Sequence, residues 1–258
     1  MIGVFDSGSG GLSVLRELLR LMPLERYIYY ADNAHCPYGE KSQEYIIARS
    51  REITRLLISE GAEIIVVACN TATAAAISTL RKEFQIPFIG MEPAVKPAAL
   101  GTVSGVIGVL ATAGTLNGSK YLKTKSDYDE GCRIVEHVGE GFVELVEKGI
   151  LEGPEAEAVV RRSLVPLLEE GADTIVLGCT HYPFLLPVMQ KVAGEYAGGA
   201  TSPEVRFIDP APAVARQAQR VLQGLRPSVA AAGPGQVELL SSGDSISLRS
   251  LYHKILQD

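Results

Sequence analysis

One strand-like segment occurs twice in this chain. EGAEIIVVACNT, at residues 60–71, is nearly repeated as EGADTIVLGCTH, at residues 170–181, and both copies run from an acidic Gly-Ala turn to a cysteine. A second pair, IGVFDS at 2–7 and IGVLAT at 107–112, has almost the same separation. Short apolar strands resemble one another by chance. A match that also keeps Glu, Gly, Ala, an acid and Cys in place favours duplication, so we predict two homologous halves that begin near residues 1 and 100.

Apolar runs alternate with longer helix-like stretches along the 258 residues. The runs are not interrupted by polar residues, which is typical of parallel strands covered on both faces. This alternation predicts an α/β fold with two pseudo-symmetric α/β domains and mainly parallel sheets. The predicted strands are 2–5, 26–31, 63–68, 87–90, 105–110, 133–138, 174–178 and 205–209, and the predicted helices include 12–22, 42–59 and 154–170.

Composition excludes several classes of protein. The apolar share of 47% and charged share of 21% are ordinary for a globular chain, and no apolar run has the roughly 18–20 residues of a membrane helix. The start, MIGVFDSGSGG, lacks a basic flank and a signal-type apolar stretch, so we expect it to begin the fold. A net charge of -6 without a Lys/Arg run argues against a nucleic-acid partner. Four scattered cysteines without a CxxC pair favour a reduced, cytoplasmic protein.

Polar side chains follow the predicted strands at the points where they end. In open parallel sheets ligands bind at the carboxyl ends of the strands. If the two halves face one another, the thiols of Cys69 and Cys179 point into one cleft from opposite sides and flank a single ligand. The sequence therefore predicts an active site in the cleft between the domains, with these candidates at strand ends: Asp6, Ser7, Cys69, Asn70, Thr71, Thr112, Cys179, Thr180 and His181.

Two opposed thiols suit the inversion of a carbon stereocentre by proton transfer. One group removes a proton from one face, the other donates a proton to the opposite face, and the roles exchange for the other enantiomer. A thiolate is the effective base, and its ordinary pKa of about 8.5 needs help from neighbours. Asp6 is the expected helper of Cys69, and His181 that of Cys179.

The loops after these strands suit an anionic ligand. DSGSGG, at 6–11, leaves backbone N–H groups free to approach a carboxylate or phosphate. Asn70, Thr71 and Thr180 are expected where helices begin and add side-chain donors. These segments contain no Lys or Arg, so neutral donors and helix N-termini would bind the anion.

Other functions agree less well with the motifs. A dinucleotide site would need glycine at Ser13, and no phosphate-binding G-x-x-x-x-G-K-[ST] motif occurs. Zinc could be held only by residues without the spacing of zinc sites, so no metal and no cofactor is expected; those residues are Cys36, Cys69, Cys179 and His181. A thiol hydrolase that uses Cys179 and His181 stays open, although it leaves the first copy of the repeat unexplained.

Other residues have structural interpretations on the sequence alone. Cys36 and Cys132 are interpreted as packing residues because free cysteine is usually buried. Tyr38 lies in a predicted turn, CPYG, and Glu147 has the character of a helix-surface charge.

The motifs together resemble the glutamate racemases, cofactor-independent enzymes that supply D-glutamate for bacterial peptidoglycan. The resemblance is carried by GVFDSGSGGLSVLREL, YYADNAHCPYG, VVACNTATA, GVIGVLAT, FVELVEKG and VLGCTHYPFL, which span residue 3 to about 187. It implies that Cys69 acts on D-glutamate with help from Asp6, and that Cys179 acts on L-glutamate. The helpers of Cys179 would be His181 and Glu147. The implied substrate-binding residues are Asp6, Ser7, Tyr38, Gly39, Asn70, Thr71, Thr112, Thr180 and His181.

The resemblance also implies how the chain is divided. The first α/β domain would comprise residues 1–96 and 210–258, because the C-terminal segment returns to it, and the second would comprise 97–209. PSVAAAGPGQ, at 227–236, is interpreted as a variable loop. The expected ligand is glutamate, with no nucleic-acid or membrane partner. The oligomeric state stays open, a homodimer being one option. A racemase for aspartate or another amino acid is the near alternative.

Overall fold

The structure, a computed structural model, describes residues 1–197, 205–226 and 235–256. Within these ranges the strands are β1 (Ile2–Asp6), β2 (Tyr27–Ala31), β3 (Ile64–Val67), β4 (Phe88–Gly90), β5 (Val106–Ala111), β6 (Arg133–Val138), β7 (Thr174–Gly178), β8 (Arg206–Ile208) and β9 (Val237–Ser241). The helices are α1 (Leu12–Leu21), α2 (Gln43–Ser59), α3 (Asn70–Glu83), α4 (Val95–Gly101), α5 (Ala113–Leu116), α6 (Ser119–Tyr128), α7 (Phe142–Glu147), α8 (Pro154–Glu169), α9 (Leu186–Ala197), α10 (Ala211–Leu225) and α11 (Ile246–Leu256).

Two compact units divide the chain. The first combines Met1–Met91 with Ala211–Asp258, and the second is Glu92–Pro210. Among the described residues, the first unit has a five-stranded sheet in the order β4-β3-β1-β2-β9, and the second has a four-stranded sheet in the order β6-β5-β7-β8. Every neighbouring pair of strands is parallel. The predicted α/β class with parallel sheets is confirmed.

The central strands of the two sheets are paired in the same way. In the first sheet Ile2 of β1 lies opposite Ile64 of β3, and in the second Ile107 of β5 lies opposite Thr174 of β7. These are the equivalent positions of the two sequence repeats, so both repeats pair in the same register. The flanking strands also correspond, since β2 and β6 lie beside β1 and β5, and β4 and β8 lie beside β3 and β7. Strand order and register therefore confirm the predicted pseudo-symmetry.

The central strands provide the core of each unit. β1, β3 and β7 are buried along their whole length, as expected of parallel strands covered on both faces. In the first unit Phe5 and Val67 share an apolar cluster with Leu80 of α3. In the second, Val109 and Cys132 share another. Cys132 is only 6% exposed, which supports its interpretation as a packing residue.

All eight predicted strands are present, but β9 was missed. Its sequence, VELLS, contains only one buried residue, Leu239, because β9 lies at the edge of the sheet and pairs on one side only, with β2. Such a strand has neither a continuous apolar run nor strict alternation. Most of the segment interpreted as a variable loop, 227–234, lies outside the described residues. No helix in the described ranges combines the length and the apolar character needed to cross a membrane.

We expect β9 to contribute to the stability of the first unit. Leu239 is 8% exposed, whereas the neighbouring Glu238 is exposed. Leu239→Ala should lower the free energy of unfolding by about 2 kcal/mol through lost burial and a cavity. Urea denaturation would measure it, with Glu238→Ala, expected within about 0.5 kcal/mol of the parent protein, as the control. Equal effects of the two substitutions would contradict the paired position of β9.

Candidate functional site

Cys69 lies between β3 and α3 and is the N-cap residue of that helix. Its backbone is extended, with φ -143° and ψ 119°, and its Sγ accepts the N–H of Ala72 at 3.4 Å. The helix is 14 residues long, and the N–H groups of its first turn carry partial positive charge. The thiol is 5% exposed. The fold therefore holds this sulfur where negative charge is favoured.

A hydroxyl and a carboxylate lie next to the Cys69 thiol. The Cys69 Sγ is 3.8 Å from the Ser7 Oγ, and the Ser7 hydroxyl is 3.5 Å from the Asp6 Oδ1. The other oxygen of Asp6 accepts the N–H of Gly11 at 2.8 Å. Asp6 is fully buried. The predicted helper thus lies at the end of a thiol–hydroxyl–carboxylate chain, and Asp6 also fixes the loop that leads into α1.

The glycine at position 11 is required by this close packing. A Cβ at Gly11 would lie 2.8 Å from both the Cβ of Asp6 and the Oη of Tyr29, and 3.1 Å from the Cβ of Ala68. The Tyr29 hydroxyl also donates to the carbonyl oxygen of Gly8 at 2.8 Å. The small residues of DSGSGG therefore allow the loop to pack directly against the carboxylate of Asp6.

Asn70, the first residue of α3, has a buried side chain without a hydrogen-bond partner. It is 3% exposed, and neither its Oδ1 nor its Nδ2 is paired with any described residue. A buried amide left unpaired costs about 1–3 kcal/mol for each unsatisfied group. Thr71, next to it, is 5% exposed. An unpaired donor and acceptor beside a buried thiol are arranged to bind a ligand that carries both kinds of group.

Tyr38 is held in the first unit by a buried carboxylate. Its hydroxyl donates to the Asp32 Oδ2 at 2.5 Å, and Arg49 binds both oxygens of Asp32, with N···O distances of 3.0 and 2.7 Å. Burial raises the pKa of the Tyr38 hydroxyl, and the negative charges of Asp32 and Cys69 add to this shift. Tyr38 therefore stays neutral, and Gly39 follows it in the 3-10 turn Tyr38–Glu40.

Asp32 and Arg49 were not predicted as part of this site. Asp32 directly follows β2 at the carboxyl edge of the sheet, which was the available signal. Burial alone would raise the pKa of Asp32, but hydrogen bonds from Arg49 and Tyr38 outweigh it and lower the pKa. Arg49 lies within α2 and does not follow a strand in the sequence, so its contact with Asp32 is visible only in the structure.

Cys179 follows β7 and has an imidazole and a carboxylate as neighbours. The Cys179 Sγ is 3.7 Å from the His181 Nδ1, and the His181 Nε2 is 2.7 Å from the Glu147 Oε1. Cys179 is 7% exposed and His181 1%. Glu147 ends α7, so its interpretation as a helix-surface charge from the residues alone was wrong. Its apolar helix buries one face, which turns the terminal carboxylate towards His181.

His181 has a strong tendency to be protonated. Burial disfavours the imidazolium, but hydrogen bonds and charge attraction from Cys179 and Glu147 outweigh burial and raise the pKa of His181 well above its ordinary value. An imidazolium between a thiolate and a carboxylate is an arrangement that stabilises the thiolate. In this unit, His181 can therefore hold or return the proton of Cys179.

The sequence predicts that a helix begins at Thr180, but no α-helix begins there. A 3-10 turn, Tyr182–Leu185, comes first, and α9 starts only after it. Pro183 has no N–H to donate, and the neighbouring amide of Phe184 pairs with the carbonyl of His181 at 3.2 Å, which is a 3-10 bond. Thr180 is nonetheless buried, at 1% exposure.

Thr112 lies at the equivalent point after β5. It is the N-cap residue of α5, where its Oγ1 accepts the N–H of Thr115 at 3.3 Å and lies 3.0 Å from the Thr115 Oγ1. The sequence-predicted residues thus fall into one group in each unit. The first unit holds Asp6, Ser7, Tyr38, Gly39, Cys69, Asn70 and Thr71, and the second holds Thr112, Glu147, Cys179, Thr180 and His181.

The chain matches one protein family over most of its length. Residues 2–218 match the model of the Asp/Glu/Hydantoin racemase family. The chain belongs to the Asp/Glu/Hydantoin racemase family. This membership agrees with the resemblance recognised in the sequence motifs, and it covers both strand ends that carry a buried thiol.

Within this racemase family, the chain is similar to proteins named glutamate racemase. It is 47% identical to the glutamate racemase of Herpetosiphon aurantiacus over 243 residues, which are 94% of this chain and 92% of the relative. It is similar in structure to Escherichia coli glutamate racemase in complex with L-glutamate and the activator UDP-MurNAc-ala, with a TM-score of 0.84, 32% identity and coverage of 98% and 94% of the two chains. It is also similar in structure to the Francisella tularensis glutamate racemase in complex with D-glutamate. The TM-score is 0.82 and the identity 27%, and the match covers 100% of this chain and 93% of the other.

We expect Glu147 to maintain the charge of His181 in this racemase-family site. Because Glu147 raises the pKa of His181, Glu147→Gln should lower it. NMR titration of 15N-labelled imidazole groups would measure the change. The circular dichroism spectrum of the variant should match that of the parent protein, because the substitution keeps the size of the side chain. An unchanged His181 titration would contradict the assigned ion pair.

The sign of the accompanying stability effect follows from the raised pKa. Protonation of His181 stabilises the folded state fully below the unfolded pKa of about 6.5, and this contribution is lost as the pH rises through the raised folded pKa. The stability difference between the parent protein and Glu147→Gln should therefore shrink as the pH rises through that folded pKa.

Proposed function

We propose that the protein interconverts L- and D-glutamate by proton transfer at Cα, with Cys69 and Cys179 as the two acid/base groups. The observation that carries this proposal is the equivalent position of the two buried thiols. Cys69 follows β3 and Cys179 follows β7, and these two strands occupy the same place and register in their sheets. Each thiol also has its own proton-handling neighbours.

Glutamate as the substrate is supported by the relatives. The similar proteins of Herpetosiphon aurantiacus, Escherichia coli and Francisella tularensis are glutamate racemases, and the last two were solved with L-glutamate and with D-glutamate. Because the first relative is 47% identical over 94% of this chain, glutamate is favoured over aspartate or another amino acid.

For L-glutamate, the Cys179 thiolate removes the Cα proton. The Cα–H bond breaks, an S–H bond forms on Cys179, and the electron pair stays on the carbon skeleton. The Cys69 thiol then donates its proton to the opposite face of Cα, which gives D-glutamate and leaves Cys69 as a thiolate. The reverse reaction begins from that state. Since each thiol serves one face, both are required in both directions.

The neighbours of each thiol support these transfers differently. We propose that the imidazolium of His181, held by Glu147, stabilises the Cys179 thiolate before it acts on L-glutamate. On the other side, Ser7 and Asp6, with the N-terminus of α3, support Cys69 when it acts on D-glutamate. A positioned acid/base partner typically contributes about 10²–10⁴-fold to the rate.

Substrate binding is assigned to neutral donors and acceptors near the thiols. Asn70 supports this assignment most directly, because its unpaired amide can donate to a carboxylate and accept from an ammonium group. The negative charge that develops at Cα is then stabilised by such pre-positioned donors, and no cofactor is invoked. The residues proposed to bind glutamate are Asp6, Ser7, Tyr38, Gly39, Asn70, Thr71, Thr112, Thr180 and His181.

The wider role proposed is the supply of D-glutamate for bacterial peptidoglycan. This follows from the resemblance to the glutamate racemases, and it favours the cytoplasm as the place of action. We also propose that the two compact units, Met1–Met91 with Ala211–Asp258 and Glu92–Pro210, act as the two domains of the enzyme.

The two thiols should each be indispensable. In deuterated water, without added cofactor and with EDTA present, the protein should convert L-glutamate to D-glutamate that carries deuterium at Cα. Cys69→Ala and Cys179→Ala should each reduce turnover in both directions by at least about 10²–10⁴-fold while remaining folded, because each removes the acid or base for one face. Chiral chromatography and circular dichroism would measure turnover and folding.

Cys132→Ala is the matched control for these cysteine substitutions. Cys132 lies in the core of the second unit, so its loss should lower stability slightly and leave turnover unchanged. A thiol hydrolase would need Cys179 but not Cys69. Near-normal racemisation by Cys69→Ala would therefore rule out the two-thiol mechanism.

Removal of the neighbours should affect the two substrates unequally. Equilibrium between enantiomers fixes the ratio of the two kcat/KM values near one, so the asymmetry must appear in kcat and KM separately or in isotope effects. His181→Asn should raise the primary deuterium isotope effect mainly with Cα-deuterated L-glutamate, and Asp6→Asn mainly with the D-enantiomer, because each slows proton removal by one thiol. Competition kinetics with both deuterated enantiomers would measure this. Identical changes for both variants would mean that the residues bind substrate without serving separate thiols.

A further inference from the structure

Glu147 lies at the end of a short helix that has a glycine on either side. α7 has only six residues, and it is flanked by Gly141 and Gly149 in left-handed conformations, with φ of 82° and 73°. An isolated helix of this length is unstable in water because nucleation costs more than its few hydrogen bonds return. The position of Glu147 must therefore depend on tertiary contacts of α7.

Tyr182 provides contacts at the start of this helix. Its ring and that of Phe142, the first residue of α7, meet edge to face, with centroids 4.9 Å apart and an interplanar angle of 66°. The Tyr182 hydroxyl donates to the carbonyl oxygen of Gly139 at 3.4 Å. Both rings are fully buried. A Cβ at Gly139 would lie 2.5 Å from the Tyr182 Oη, so a glycine is needed for this approach.

The backbone of Tyr182 is hydrogen-bonded to the loop that carries Cys179 and His181. Its N–H donates to the carbonyl oxygen of Cys179 at 3.1 Å, and it directly follows His181. The residue thus contacts the loop that bears the thiol and imidazole through its backbone. Through its side chain it contacts the helix that bears the carboxylate. No other role in the proposed reaction has been assigned to it.

We propose that Tyr182 is a positioning residue, which keeps Glu147 at hydrogen-bond distance from His181 by holding α7 through Phe142 and Gly139. The inference rests on the proposed function, in which the His181–Glu147 pair serves proton removal from L-glutamate at Cys179. Tyr182 is not a catalytic residue in this proposal, because it acts only through the placement of α7.

The pKa of the Tyr182 hydroxyl agrees with a positioning role. Burial raises the pKa of Tyr182 well above its ordinary value, and the negative charges of Cys179 and Glu144 add to the shift. The phenol therefore stays protonated and does not serve as a base. The groups that act on His181 itself are Cys179 and Glu147, so a change in its titration reports directly on their placement.

Two substitutions of different severity test the proposal. Phe142→Leu removes the edge-to-face ring contact and should reduce kcat/KM by about 10-fold, within the roughly 10²-fold that a 1 Å misplacement can cost. Tyr182→Phe keeps the ring, removes only the hydroxyl contact with Gly139, and should have a smaller effect in the same direction. Both should raise the isotope effect with Cα-deuterated L-glutamate more than that with the D-enantiomer.

A double-mutant cycle separates positioning from general destabilisation. If Phe142 and Tyr182 act through Glu147, each substitution should cost little further activity when Glu147→Gln is already present. Tyr121→Phe is the matched control, since Tyr121 is a 4% exposed tyrosine of the same unit whose hydroxyl binds Glu136. It should change neither the isotope effects nor the cycle.

NMR titration of His181 gives a readout that does not depend on activity. In Phe142→Leu, and to a smaller extent in Tyr182→Phe, the pKa of His181 should move towards its value in Glu147→Gln. An unchanged titration together with additive losses in the cycle would overturn the positioning role. If the parent protein does not racemise glutamate but the titration responds as expected, the proposed function fails while the positioning of Glu147 stands.

Discussion

The arrangement of this protein depends on one pairing, in which two parallel strands buried on both faces lie side by side in a fixed register. Between their first and last residues, β1 and β3, and β5 and β7, carry only apolar side chains and glycine, so polar side chains lie only at the ends of these strands. Parallel strands all end at the same edge. The pairing thereby concentrates the chemistry of each unit at one edge of its sheet, and the duplication supplies a thiol at the same point of both.

The two thiols are equivalent in position but not in their surroundings. Cys69 caps a long helix and contacts a hydroxyl that leads to a buried carboxylate. Cys179 is followed by a 3-10 turn and depends on an imidazole that is itself held by a carboxylate. The Cys69 sulfur lies at a helix N-terminus beside a hydroxyl, whereas the Cys179 sulfur lies beside an imidazole. Duplication therefore preserved the position of the sulfur atom while its polar surroundings diverged.

The sequence was sufficient for the features that follow from local pattern and repetition. Continuous apolar runs identified eight strands, and the repeated EGA…C segment identified the equivalence of β3 and β7 with the correct register. The sequence was insufficient where an element forms only because of the strand or helix that it packs against. β9 lies at a sheet edge and buries only Leu239 completely, so it has no continuous apolar run that could predict it.

The same limit applies to the site. Cys69 and Cys179 are predicted as site residues because they end repeated strands, whereas Glu147 is predicted only through the family motif and Arg49 is not predicted at all. Arg49 lies on a helix and is brought to the site by Asp32, 17 positions earlier in the chain. Tyr182 has an ordinary apolar context, and its link to α7 is visible only from the ring contact with Phe142. Contacts between elements that are far apart in the sequence produce no periodic pattern of residues in the sequence.

The return of the C-terminal segment to the first sheet has a consequence for the order of synthesis. The second unit, Glu92–Pro210, is continuous and is complete before the chain that contains β9 leaves the ribosome. The first unit must wait, with the hydrogen-bonding edge of β2 open, until β9 has been translated. An open parallel edge is a template for pairing with another chain. Nascent molecules are therefore exposed to misassembly at Tyr27–Ala31 until β9 pairs with that edge.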